Sequence, residues 1–490
     1  MTNLDPIFRP KSIAIVGASD NPQKIGFRYV SHITEGGYEG RVYPVNPKGG
    51  EVLGLKIHPD LNSIEGTVDL AVILTGAATV PKIMQDCVRK GVKGVVLITA
   101  GFRETGEPGK KLESQVLEIS RQGGIRIVGP NCLGIVNSEI GLNATAIPFV
   151  PRESGNMGFI SQSGSSLELL FSWTLERGIY FNKVVSSGNE ADLKLTDYLE
   201  YFAMDPEIRV IMLYIEGIGP EEGRKFLELA AETTRKKPII ALKSGRTSAG
   251  GEAIKTHTGA IGGRSEIYSA VFRQFGIIEA RNYEELFDYG LAFSAGRIPW
   301  GNKVAILGPG GPGVNAADTC EEIGVRVGKF SSRTTERLKG MLPDFMAAVK
   351  NPLDLSISAA MDKREKFYEA LLEDEASDGA IFLTSAIFYM KKFTEIMKRL
   401  YARSRKPVLI GAIMSTVLPE MLESARALGK AGIPFYPAPE RAARAYAALV
   451  KYGNYLKKMN YPAASCEVSI GSNLNASRGG ELNPCPPLAD

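Results

Sequence analysis

Short runs of consecutive apolar residues recur along the chain, each closed by small or charged residues and followed by a longer stretch with helical spacing. In the amino-terminal part these runs are Ser12-Ile13-Ala14-Ile15-Val16, Val42-Tyr43-Pro44-Val45, Leu70-Ala71-Val72-Ile73-Leu74, Gly94-Val95-Val96-Leu97-Ile98 and Ile125-Arg126-Ile127-Val128. A strand that is apolar on both faces must be covered on both faces. Such strands alternating with helices predict a parallel sheet between two helical layers. A second set runs through Met157-Gly158-Phe159-Ile160, Lys183-Val184-Val185, Val210 to Ile215 and Pro238-Ile239-Ile240-Ala241-Leu242. After the break Gly296-Arg297-Ile298-Pro299-Trp300-Gly301, a third comprises Lys303 to Leu307, Gly379 to Leu383, Pro407 to Ile410 and Ile433 to Tyr436, with a terminal helix ending near residue 458. The expected architecture is α/β, with three consecutive doubly wound domains over residues 1–150, 151–298 and 299–458. Residues 459–490 lose this periodicity and fill with Asn, Ser, Gly and Pro, which predicts a disordered tail.

With 490 residues, 44% of them hydrophobic and 23% charged, the chain has enough apolar material for three such cores. Its net charge of +4 is spread in short runs such as Arg235-Lys236-Lys237, which argues against nucleic acid and leaves phosphorylated small molecules as partners for basic sites. The five cysteines, at 87, 132, 320, 466 and 485, show neither CxxC nor Cys/His ligand spacing. A disulfide framework and a structural zinc site are therefore not expected, no metal site is expected in this chain, and a reducing, cytoplasmic setting fits. The amino terminus has no basic start followed by an apolar stretch, and no run approaches the roughly eighteen apolar residues of a membrane span.

Open parallel sheets bind ligands beyond the carboxyl ends of their strands, so the turns there are the places to look for chemistry. The first strand runs into Gly17-Ala18-Ser19-Asp20-Asn21-Pro22-Gln23-Lys24-Ile25-Gly26, a turn opening a helix whose free N–H groups and dipole favour a phosphate. It is not a GxGxxG fingerprint, and a glycine here can also serve only a tight turn. Asn46 and Lys48 follow the second strand at the same edge, where Lys48 can reach a phosphate or remain an exposed loop lysine. In the second domain, Ser161-Gln162-Ser163-Gly164-Ser165-Ser166 offers hydroxyls and N–H groups to an anion, more than a lone N-cap serine requires. The third domain offers Gly308-Pro309-Gly310-Gly311-Pro312-Gly313 in the same place, where four glycines would leave the backbone free to wrap a phosphate.

Of the three histidines, His257 stands out. It lies in Thr256-His257-Thr258-Gly259-Ala260, after Ser244-Gly245-Arg246-Thr247-Ser248-Ala249-Gly250-Gly251, a run that reads as a movable loop. The bland alternative is a solvated turn residue. Glu216 follows the strand ending at Ile215, at the ligand edge, where its carboxylate could orient an imidazole and raise the nucleophilicity of the other ring nitrogen. Its alternative is an exposed acidic residue. His32 in a helical segment and His58 before Pro59 have no evident partner set.

Together, Val16-Gly17-Ala18-Ser19, Tyr43-Pro44-Val45-Asn46-Pro47, Gly129-Pro130-Asn131-Cys132-Leu133-Gly134, Ser161-Gln162-Ser163-Gly164, Thr256-His257-Thr258-Gly259-Ala260, Gly310-Gly311-Pro312-Gly313 and Asn351-Pro352-Leu353-Asp354-Leu355 resemble the NDP-forming acyl-CoA synthetases, the relatives of succinyl-CoA synthetase. The likeness is strongest to the α subunits of ADP-forming acetate–CoA ligases and covers residues 1 to about 458. It implies a Rossmann-like CoA-binding domain followed by two flavodoxin-like domains. It implies that Gly17, Ala18, Ser19, Gly26, Asn46, Lys48 and Asn131 contact coenzyme A. His257 would be a phosphohistidine supported by Glu216, with Ser161, Ser163, Gly164, Ser165, Gly310, Gly311 and Gly313 around the phosphate. In such enzymes an acyl-CoA and phosphate give an acyl phosphate, the histidine takes the phosphoryl group, and an ATP-grasp domain passes it to ADP. No ATP-grasp segment is recognisable in this sequence, so the resemblance implies an ATP-grasp β subunit, in an α2β2 assembly, carrying ADP or ATP and Mg2+. Acetate is the family-weighted acid. A non-catalytic CoA or acyl-CoA sensor, or a synthetase for succinate or an aryl or branched acid, is the alternative.

Overall fold

The structure is a computed structural model that describes residues 3–258, 264–342, 349–355, 364–385, 390–413 and 418–460, with residues 254–258 described as backbone alone. Of the expected tail, residues 459–490, all but the first two lie outside these residues.

The apolar runs become three sheets. The first is wholly parallel, in the order Arg41–Val45, Ser12–Val16, Leu70–Ile73, Gly94–Leu97, Arg126–Val128. The second has seven strands, in the order Ile278–Ala280, Ile239–Lys243, Val210–Ile215, Met157–Ser161, Phe181–Ser186, Gly134–Asn137, Leu142–Thr145. The third is parallel, in the order Leu353–Asp354, Val304–Gly308, Gly379–Thr384, Val408–Ala412, Phe435–Tyr436. The central strands are buried along their whole length, as strands covered on both faces must be.

One feature departs from a simple division at residue 150. Strands Gly134–Asn137 and Leu142–Thr145 form an antiparallel hairpin, and the first of them pairs antiparallel with Phe181–Ser186. The hairpin is thus hydrogen-bonded into the second sheet although it follows the first in sequence. Gly134, at φ +113, lets the chain turn there, and a Cβ on it would lie 2.0 Å from the Ala144 carbonyl oxygen.

The sheets also share apolar cores. Ile13, Ile15 and Val72 of the first sheet pack in one cluster with Ile160, Val185 and Leu213 of the second. The opposite face of the second sheet, through Phe159 and Met212, is continuous with Ile306 and Ile381 of the third. Helix Pro439–Lys458 runs through that second junction: Tyr452 donates its hydroxyl hydrogen to the Thr234 carbonyl at 2.8 Å, and Tyr446 donates to the Lys303 carbonyl at 3.0 Å. The sheet edges are therefore fixed relative to one another by packing.

Candidate active site

In a parallel sheet all carboxyl ends lie along one edge. On the second sheet the turns after Ile239–Lys243, Val210–Ile215, Met157–Ser161 and Phe181–Ser186 therefore stand side by side. They bring together Lys243, Glu216, Gln162 with Ser163, and Ser187 with Glu190.

Glu216 is at this edge as expected, yet it is covered, with 5% of its surface exposed. Its backbone is gripped from both neighbouring strands. The side-chain carbonyl of buried Gln162 accepts from the N–H groups of Glu216 (2.6 Å) and Gly217 (3.0 Å), while Gln162 Nε2 donates to the Gly217 carbonyl at 2.8 Å. From the other side Lys243 Nζ donates to the Glu216 carbonyl at 3.0 Å and to the Ser244 carbonyl. Lys243 is 1% exposed, and its ammonium lies 5.0 Å over the Tyr268 ring, whose hydroxyl accepts from Ile218 N–H at 3.0 Å. Burial holds the Lys243 ammonium below the usual lysine range, against the attraction of Glu216.

The serine turn is ordered by its own hydroxyls. Ser161 Oγ donates to the Ser163 carbonyl at 2.7 Å, accepts from Ser163 N–H at 3.1 Å and lies 2.6 Å from Ser166 Oγ. Ser161 is wholly buried, so its hydroxyl shapes the turn rather than meeting a ligand. Ser163 Oγ and exposed Ser165 Oγ lie 3.2 Å apart at the start of helix Ser165–Arg177, where the first N–H groups have no partner within the helix. Gly164 packs on Leu133, whose Cβ would be 3.1 Å from a Cβ at that position.

Lys243 also stands at the root of the His257 segment. Gly245, at φ +70, turns the chain into helix Ser248–Thr258. The glycine-rich run expected as a loop is thus helical up to Thr258, because Thr247 starts it. Its Oγ1 accepts from Gly250 N–H at 3.2 Å and its carbonyl from Gly251 N–H at 2.8 Å, which offsets the roughly 1 kcal/mol that each helical glycine costs. The backbone of His257 falls in the last turn of this helix. Its side chain, and Gly259 and Ala260 after it, lie outside the described residues.

At the edge of the first sheet, Gly17 adopts φ +100 and its N–H donates to the Val45 carbonyl at 2.9 Å. Asn46 Nδ2 donates to the Ala18 carbonyl at 2.8 Å, joining the two expected binding turns. A Cβ at Gly26 would lie 2.1 Å from the Gly17 carbonyl oxygen, so only glycine lets helix Ile25–Glu35 close against this turn. Ser19 Oγ accepts from Asn21 N–H at 3.1 Å, and Lys48 is exposed beside them.

Residues 187–193 connect this edge to the second sheet. Asn189 N–H donates to the Pro130 carbonyl at 2.8 Å and Ala191 N–H to that of Gly129 at 3.0 Å, while Ser187 N–H donates to the Ser161 carbonyl at 2.8 Å. Asn131, at φ +56, reaches the Asn189 side-chain carbonyl with its Nδ2 at 3.3 Å. Half-buried Glu190, at φ +54, accepts from Ser187 Oγ at 2.7 Å and also from Gln162. Burial outweighs these bonds and pushes its carboxyl up to about 7.

The glycine turn of the third sheet is less open than its sequence suggests. Gly308 belongs to strand Val304–Gly308, and a Cβ there would lie 2.6 Å from Leu383 Cβ. Gly310, at φ +40, donates its N–H to Asp354 Oδ1 at 3.1 Å, and helix Gly310–Glu322 carries Gly311 and Gly313 in its first turn. Of the other histidines, His32 Nδ1 lies 2.9 Å from the Thr145 carbonyl and His58 packs edge-on against Tyr43. Both are structural.

Sequence reasoning missed Lys243, Gln162 as a clamp, and Glu190. Lys243 could have been found by the rule that found Glu216, since each directly follows an apolar strand run. Among the described residues no group of three or more His, Cys, Asp or Glu could hold a metal ion, and no helix is long and apolar enough to cross a membrane.

The glycine turn at the edge of the first sheet and the serine turn beside the clamped Glu216 backbone on the second fall within two regions that family models match. Residues 11–138 match the CoA binding domain model and residues 154–293 the succinyl-CoA ligase-like flavodoxin domain model. The chain is 40% identical over 463 residues to the α subunit of acetate–CoA ligase (ADP-forming) II from Pyrococcus furiosus, covering 91% of this chain and 97% of that one. It is 38% identical over 455 residues to acetate–CoA ligase (ADP-forming) I from Archaeoglobus fulgidus, covering 93% of this chain and 64% of that longer protein. Among solved structures it resembles the dinucleotide-forming acetyl-coenzyme A synthetase 1 of Ca. Korarchaeum cryptofilum, in complex with phosphate and ADP. That match has a TM-score of 0.85 and 36% identity, covering 94% of this chain and 99% of the other. The chain belongs to the family of ADP-forming acetate–CoA ligases, with the α subunits.

Proposed function

We propose that this chain is the acyl-transferring and phosphoryl-carrying subunit of an ADP-forming acetate–CoA ligase, catalysing acyl-CoA + phosphate + ADP to acid + CoA + ATP reversibly. The observation that carries this reading is the meeting of Gln162, Glu216 and Lys243 at the root of the His257 helix, beside the Ser163–Ser165 turn.

The first-sheet turns, with Gly17, Ala18, Ser19, Gly26, Asn46, Lys48 and Asn131, hold coenzyme A. The N–H groups and hydroxyls of Ser163, Gly164 and Ser165 hold phosphate, with Gly311 and Gly313 of the third sheet opposite. A phosphate oxygen attacks the thioester carbonyl, the C–S bond breaks, and CoA leaves as the thiol with the proton that phosphate gives up. The acyl phosphate then passes its phosphoryl group to His257, the free acid departs, and Glu216 holds the imidazole in the tautomer that accepts it. Fixed N–H donors favour both displacements because they are in place before charge develops on the phosphoryl oxygens. The phosphoryl group leaves for ADP on an ATP-grasp β subunit, with Mg2+ entering there, in an α2β2 assembly in the cytoplasm.

Incubation of the purified chain with radioactive phosphate and acetyl-CoA tests this. An acid-labile, alkali-stable label that vanishes in His257→Ala is expected. A folded, CoA-binding chain that takes no label from any acyl-CoA, with or without an ATP-grasp partner subunit, would refute it in favour of a CoA sensor. Stronger labelling from succinyl or aryl acyl-CoAs than from acetyl-CoA would replace acetate as the acid.

A further inference from the structure

We infer that Lys243 is a positioning residue for the phosphoryl-carrying step: its buried ammonium, bonded to the Glu216 backbone carbonyl, fixes the Glu216 turn against the root of the His257 helix. This rests on the function proposed above and extends it to a residue outside the motifs that suggested it.

Three observations converge on Lys243. It ends strand Ile239–Lys243 and pairs with Ile215, so its side chain rises next to the turn that begins at Glu216. Two of its three donors are spent on carbonyls, that of Glu216 at 3.0 Å and that of Ser244, and the ammonium lies 5.0 Å over Tyr268. Gln162 holds the N–H of the same Glu216 from the opposite strand. The Glu216 backbone is therefore held at its N–H and at its carbonyl by buried side chains, which fixes where its side chain leaves the turn. Ser244 in turn begins the connection to helix Ser248–Thr258, so the same ammonium ties the Glu216 backbone to the base of the element that bears His257.

A buried lysine is costly to desolvate, and a purely packing role would be filled more cheaply by methionine. What methionine cannot supply are the two bonds to the Glu216 and Ser244 carbonyls and a charge beside Glu216. Among the described residues, the groups around this cluster are Glu216, Arg246 and Tyr268 by Lys243, and Tyr283, stacked on Tyr214, near Glu216. Lys243 and Glu216 attract each other. Lys243→Met removes a positive charge from beside Glu216, which is expected to move the acid side of the activity profile to higher pH.

The test is the rate of phosphoryl uptake from radioactive acetyl phosphate by the full chain across pH 5 to 9, in wild type, Lys243→Met and Lys243→Arg. Expected for Lys243→Met is a fall of about thirtyfold or more at pH 7. Its KM for acetyl phosphate should stay within about threefold of wild type, and the acid-side midpoint of its profile should move up by about one unit. Lys243→Arg keeps the charge with an altered donor geometry, so it should be slowed while retaining the wild-type midpoint. This also keeps the test decisive if the methionine variant fails to fold. A Lys243→Met chain with wild-type rate and midpoint overturns the inference alone, as does a Lys243→Arg midpoint shifted like that expected of Met. A wild-type chain that takes no phosphoryl group at any pH, with or without an ATP-grasp partner subunit, overturns the proposed function and this inference with it.

Discussion

At Glu190 a carboxyl held in a left-handed backbone conformation sits between the two turns that face each other across the first and second sheets. Its carboxyl is pushed up to about 7, chiefly by burial, against an ordinary glutamate value of about 4.3. Between those values the folded chain holds a proton that the unfolded chain has released, so stability falls as pH rises through this window and the contribution is complete only below it. Glu190→Gln should flatten the decline in denaturant midpoint between roughly pH 4.5 and 7.5. An unchanged slope in that variant would show that Glu190 titrates normally. Residues of this kind are hard to read in a sequence, because nothing in Ser187-Gly188-Asn189-Glu190 says that a second sheet will close over them. Glu216 was legible because a charge directly after an apolar run falls at a sheet edge. The same rule reaches Lys243, whereas the clamp by Gln162 depends on strand order that local pattern does not contain.

Helix Pro439–Lys458 shows what the elements contribute beyond their own hydrogen bonds. Arg441 pairs with Asp288 through Nε and Nη2, both at 2.7 Å, and the aspartate side chain is only 4% exposed. Burial nevertheless pushes the Asp288 carboxyl up to about 6. Arg441→Met should cost about 3–5 kcal/mol by leaving that carboxylate unpaired, whereas Arg441→Met with Asp288→Leu should recover most of the loss. Chemical denaturation of the two variants checks this, and a mild single variant would mean that water relieves Asp288. The long apolar strands were legible as elements because their pattern persists over a whole strand. The hairpin Gly134–Asn137 and Leu142–Thr145 was not, since Asn137, Asn143 and Thr145 interrupt its apolar pattern although all three are buried. Helix Ser248–Thr258 was hidden for another reason: its glycines argue against a helix locally, and the Thr247 cap that overrides them is a single residue.

Across the whole molecule, apolar packing is continuous from the first sheet into the second and from the second into the third. A ligand that binds only the native state at one hundred times its Kd stabilises that state by about 2.7 kcal/mol. With the cores joined, CoA bound at the first-sheet edge should raise the unfolding temperature of the chain in a single calorimetric transition. A thermogram in which only part of the heat uptake moves would show that the junctions are weaker than the packing implies. The same continuity bears on how such chains can be rearranged over evolutionary time. A recombination breakpoint placed after the hairpin, between Thr145 and Met157, would strip strand Phe181–Ser186 of its neighbour and leave an apolar edge able to pair with other chains. The hairpin is inherited safely only with the sheet it closes, so gene fusions and domain swaps among these proteins should break before Gly134, and not between Gly134 and the rest of the second sheet.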